Sequence, residues 1–137
     1  MKQLTSQDIL TYLPHRAPMV MVDSATIDGE QVTALLTITD TNWFANKGQL
    51  MEAGLIEHMA QSVAVCVKES HPQDAGHIGF LADVKDITIN RLPNVGECIE
   101  TQIALKAVVG EILLVIATTK VKQDIIASGE LKIFLPQ

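Results

Sequence analysis

Apolar residues recur along this chain with two different periods, and the change of period divides it. In "CIETQIAL" (98–105), "ATTKVKQ" (117–123) and "ELKIFL" (130–135) they alternate with polar ones. Period two predicts antiparallel strands with one face in water. In "GLIEHMAQSVAV" (54–65) the spacing is helical instead: Ile56, Met59, Ala60, Val63 and Val67 share a face, while Leu55, Ala64 and Val65 fill others. The pattern predicts a helix over 51–69, stopped before His71-Pro72, and one apolar almost all round is one enclosed by its domain.

Turn chemistry supplies the punctuation. Thr5 with Asp8 three residues on marks a helix start in "TSQDILTYLP", and Pro14 and Pro18 make "LPHRAPM" irregular. Asp28-Gly29 predicts a hairpin turn within "MVMVDSATIDGEQVTALLTIT", and "DTNWFANKGQ" (40–49) reads as a polar loop. Beyond "HPQDAGH" the chain reads as strands, with turns at "PNVGE", Val109-Gly110-Glu111 and Lys122-Gln123-Asp124. The order is helix, hairpin, long buried helix, then three or four long strands. A helix without a polar face must be covered, so one antiparallel sheet wraps around it in a single α+β domain spanning 1–137.

Composition narrows the function. At 137 residues the chain is long enough for a proper core, with 47% hydrophobic and 4% aromatic residues. A net charge of −6 argues against nucleic acid as a partner. No apolar run approaches the roughly 18 residues of a membrane span, and "MKQLTSQDILTYLP" lacks the apolar stretch of a secretion signal, so a cytoplasmic protein is expected. Cys66 and Cys98 lie far apart in apolar pattern and read as small buried thiols. The Met19, Met21, Met51 and Met59 group reads as core filling. "HPQDAGH" is too loosely spaced for a metal site, so none is expected.

In this order the residues resemble the hot-dog fold, and within it the 3-hydroxyacyl-carrier-protein dehydratases of fatty-acid synthesis. "LPHRAPMVMVD" is similar to the family's Leu-Pro-His-Arg segment, "LIEHMAQ" to its central-helix motif, and "GFLADVKDITINRLPNVGE" to the strand, turn and strand that follow. "GLIEHMAQ" looks closer to the branch found beside aryl-polyene or polyketide-type carrier systems. The resemblance implies that Glu57 is the catalytic acid and Gln61 the helix glutamine. It also implies a homodimer, or a heterodimer with a related hot-dog subunit, and a substrate held on the phosphopantetheine of acyl carrier protein or on coenzyme A, with no other cofactor. The family places a histidine in a Gly-His-Phe-Pro-Gly loop before the helix. At that distance from Glu57 this chain has Trp43, and the Pro-Gly is absent too.

Dehydration needs a base for an α-proton and an acid for the leaving hydroxyl, facing one apolar cavity. Glu57, set among aliphatics, is the first candidate. His58 adjoins it, but consecutive helical side chains diverge by about 100°. It therefore either reaches a partner's site across a dimer axis or is structural. His15 reads as fixing its segment by hydrogen bonding, His77 as reaching a cleft or facing solvent, and His71 as surface. N–H groups at the start of the long helix offer an oxyanion site, with Gly48 and Gly54 allowing close approach of substrate. Trp43 and Phe44 either cap an acyl pocket or close a dimer interface, and Phe80 and Leu81 are further substrate-lining candidates. Arg16, Lys47, Lys85 and Arg91 are the cations available to an acidic carrier. Three activities fit: a dehydratase, an impaired dehydratase-like subunit supporting a catalytic homologue, or a thioesterase. Acyl binding without chemistry is a fourth.

Overall fold

The computed structural model describes residues 1–70 and 80–134. In chain order the elements are β1 (Lys2–Leu4), α1 (Ser6–Tyr12), β2 (Ser24–Asp28), β3 (Gln31–Thr37), β4 (Ala45–Asn46), β5 (Gln49–Leu50), α2 (Glu52–Ser70), β6 (Phe80–Ile89), β7 (Cys98–Val109), β8 (Ile112–Val121) and β9 (Asp124–Phe134). Seven strands form one antiparallel sheet in the order β1-β2-β3-β7-β8-β9-β6, and β4 pairs with β5 alone. The sheet packs α2 against its apolar face, where both share one core, which is the hot-dog arrangement expected from the sequence.

The predicted boundaries follow their local chemistry. Thr5 caps α1 with a full capping box: its hydroxyl accepts from the Asp8 N–H, and the Asp8 carboxylate accepts from the Thr5 N–H at 2.9 Å. The first hairpin turns at Gly29, where φ is +63°, with Asp28 facing Gln31 across the two-residue loop. Gly110 at φ +61° turns β7 into β8, and Lys122 at +56° turns β8 into β9.

Inward positions of the strands make the core. Val32, Ala34 and Leu36 of β3, Ile99 and Ile103 of β7, Val115 and Ala117 of β8, and Leu131 of β9 are buried in one cluster with Leu55, Met59 and Val63 of α2. The ends of α1 and α2 are joined by Tyr12, whose hydroxyl donates to Glu69 Oε2 at 2.6 Å.

Several expectations need correction. The polar loop contains the β4–β5 hairpin, and the N-terminus adds β1, which pairs with β2; both are too short to carry a period. The helix α2 is not enclosed all round: Ile56, Glu57, Ala60 and Ala64 form a half-buried stripe. Cys98 is exposed because alternation in β7 turns Ile99 inward, whereas Cys66 is buried as expected. Met21 and Met59 are core residues, but Met19 and Met51 lie on the surface.

Candidate functional site

Glu57 sits on the half-buried stripe of α2, one turn before Gln61 on the same face. That spacing lets Gln61 Nε2 donate to Glu57 Oε1 at 2.8 Å. The Gln61 amide is itself buried and fully used. Its Oε1 accepts from the Met21 N–H at 2.7 Å and its Nε2 also donates to the Met19 carbonyl at 2.8 Å. One side chain thus orients the carboxylate and fastens the irregular 13–21 segment to the helix. Glu57 Oε2 makes no hydrogen bond to a described residue, and the side chain is 34% exposed.

The same segment brings His15 to the carboxylate. Its Nε2 lies 3.7 Å from Glu57 Oε1, and the side chain is 30% exposed. Its Nδ1 is buried with no hydrogen-bond partner among the described residues. Arg16 holds the backbone here, donating from one nitrogen to the Leu13 and His15 carbonyls at 3.0 and 2.7 Å. The expectation that His15 fixes the segment by its own hydrogen bonding is therefore corrected: Arg16 and Gln61 do the fixing. Sequence reasoning missed this neighbour because 42 positions separate His15 from Glu57. The available signal was Gln61, one turn from Glu57 and buried on an otherwise apolar helix.

His58 faces the sheet. Nδ1 lies 2.7 Å from the Met21 carbonyl and Nε2 lies 2.8 Å from Thr101 Oγ1, which is 2.6 Å from Thr119 Oγ1. A carbonyl can only accept, so Nδ1 carries the proton and Nε2 accepts from Thr101. Complete burial pushes its pKa down to about 4, against a smaller opposing effect of the bond to Met21. The ring is neutral, enclosed and occupied at both nitrogens. Of its two readings, the structural one fits and a share in proton transfer does not.

The helix start is tighter than expected. A Cβ on Gly54 would lie 2.4 Å from Phe44 Cβ and 2.8 Å from Leu50 Cδ1, so Phe44 and not a substrate uses the missing side chain. The Gly54 N–H donates to the Met51 carbonyl at 3.0 Å, which removes one helix-start donor. Gly48 has open space around it and is required by its φ of +81°. Trp43 stands 68% exposed, while Phe44 packs on the core. The backbones of Phe80 and Leu81 open β6, and their side chains, like that of Lys85, are not among the described ones; His71 and His77 lie outside the described residues altogether. Of the proposed carrier contacts, Arg91 is engaged with Glu97 through two bonds of 2.9 and 3.1 Å, and Arg16 and Lys47 are exposed.

Among the described residues, no three His, Cys, Asp or Glu side chains gather as a metal site. No helix there is long and apolar enough to cross a membrane.

Comparison with known proteins bears on the family and the fold. The chain is 27% identical to the 3-hydroxyacyl-[acyl-carrier-protein] dehydratase FabZ of Actinobacillus succinogenes over 95 residues, which span 64% of this chain and 63% of that protein, less than two thirds of its length. Two solved structures share the fold. The dehydratase heterocomplex ApeI:P from Xenorhabdus doucetiae superimposes with a TM-score of 0.81 at 21% identity, over 94% of this chain and 91% of that one. A hypothetical thioesterase with coenzyme A from Streptococcus pneumoniae TIGR4 gives 0.66 at 8% identity, over 81% and 82%. The ApeP-like family, whose description is ApeP dehydratase, matches residues 7–137, a span that holds α2, Glu57, Gln61 and the His15 segment; the chain belongs to the ApeP-like dehydratase family.

Proposed function

We propose that this protein dehydrates 3-hydroxyacyl thioesters to trans-2-enoyl thioesters, with Glu57 as acid and base, in fatty-acid or polyene-type synthesis. The observation that carries the reading is the Glu57 carboxylate itself. It is fixed through Oε1 by Gln61, open at Oε2, and set on the half-buried face of a helix otherwise packed in the core. A positioned carboxylate with one oxygen free is what proton transfer to a leaving hydroxyl requires. The acyl group is presented on the phosphopantetheine of an acyl carrier protein or on coenzyme A, and the reaction uses no further cofactor. Arg16, within the segment that carries His15, and Lys47, in the loop before α2, are exposed cations that supply local attraction for an acidic carrier against the overall charge of −6.

A second reading has its own support. Trp43 occupies the position where the dehydratases carry their loop histidine, and the ApeI:P neighbour is a heterocomplex. On that reading the chain is the less active subunit of a heterodimer with a related hot-dog protein.

Purified protein incubated with a 3-hydroxyacyl thioester, on carrier protein and on coenzyme A, separates these by mass spectrometry. Loss of water by the chain alone supports the dehydratase. Turnover only after a second hot-dog subunit is added supports the heterodimer. Release of free acid and thiol overturns both in favour of a thioesterase.

A further inference from the structure

We propose that His15 is the catalytic imidazole that works with Glu57, supplied by the same chain in place of a histidine from the loop before the helix. The inference rests on the dehydratase reading and adds a residue to it.

Of the two histidines in the described part of the chain, His58 is consumed by Met21 and Thr101, and His15 is the one beside the carboxylate. The two side chains are partly exposed at the same place, 30% and 34%, while Gln61 next to them is buried. Their separation of 3.7 Å is too long for a hydrogen bond that would satisfy both, yet a single point lies within hydrogen-bond reach of each. The buried Nδ1 has no partner among the described residues, a cost that proteins rarely accept outside functional sites. Two side chains hold the pair in place. Gln61 bonds Glu57 directly and clamps Met19 and Met21, and Arg16 locks the backbone at Leu13 and His15. Such double anchoring is what keeps an acid and a base in register.

The proton accounting closes within the pair. With its proton on Nδ1, the neutral ring offers the Nε2 lone pair to the substrate. Nε2 removes the proton from C2; the C2–H electrons form the C2–C3 double bond, and the C3–O bond breaks. The protonated Glu57 gives its proton to the departing hydroxide, which leaves as water. The imidazolium then returns a proton to the adjacent carboxylate, and both groups are restored without another reactant. Nε2 and Oε1 lie 3.7 Å apart, so the newly formed water, within hydrogen-bond reach of both, relays that last transfer before it leaves.

The test compares wild type, His15→Ala and His15→Gln for water loss from a 3-hydroxyacyl thioester, with and without added imidazole, beside thermal unfolding of each. We expect both variants to lose about 10²-fold or more of the rate with unchanged unfolding, and imidazole to restore part of it to His15→Ala. A structural role for His15 predicts no rescue. Wild-type turnover with an unchanged rate in both variants, or a loss that imidazole does not restore in a folded His15→Ala, overturns the role of His15 and leaves Glu57 standing. Absence of turnover in the wild type overturns the dehydratase reading and this inference together.

Discussion

Gln61 donates to Glu57 Oε1 at 2.8 Å while holding Met19 and Met21 with the rest of its amide. The bond makes the carboxylate and the 13–21 segment parts of one unit. Replacing Gln61 by Leu leaves the buried Met21 N–H and the Met19 carbonyl unpaired. Such a change is expected to lower stability by about 2–4 kcal/mol, measured by urea unfolding. Activity should fall further than stability explains, in kcat more than in KM, because the carboxylate loses its orientation.

His58 predicts an acid sensitivity with a definite sign. Its imidazole titrates near 6.5 in the unfolded chain and at about 4 in the folded one. Between those values the unfolded state binds a proton that the folded state refuses, so stability falls as pH drops through this window and is fully present above it. The interval corresponds to on the order of 3 kcal/mol. Unfolding free energies taken from pH 7 to 5, above the range of most carboxylates, should slope downward for wild type. In His58→Gln the slope should flatten, at a lower overall stability.

Gly54 sets two effects against each other. Alanine in a helix is favoured over glycine by about 1 kcal/mol. The added Cβ, however, would meet Phe44 Cβ at 2.4 Å, an atom that cannot move without the loop backbone. Overpacking of this kind costs about 1–3 kcal/mol, so the clash wins. Gly54→Ala should lower the melting temperature, and calorimetry of the purified variant checks it.

Much of the fold was legible because burial writes a period into the chain. The β7, β8 and β9 alternation and the capped α1 are local patterns, and α2 was found within one residue at each end. What failed was short or non-local. The β4–β5 hairpin has two residues per strand, too few for any period. Cys98 reads as buried from its apolar surroundings, although the alternation that turns Ile99 inward places it outside. In the site, Glu57 and Gln61 were legible through the helix motif. Thr101 and Thr119, two inward polar residues on adjacent strands, were the sign that a polar core group such as His58 needed partners. The approach of His15 was not legible, since it depends on how an irregular proline-rich segment folds back on the helix.

The central claim is that the Glu57 carboxylate moves the proton on the C3 oxygen. Dehydration is reversible, so hydration of a trans-2-enoyl thioester in heavy-oxygen water reads that step directly. The account predicts label at C3 with wild type and a drop of about 10²-fold or more with Glu57→Gln, whose fold should persist. Equal labelling by the two proteins, or label appearing in a released carboxylic acid, would contradict it.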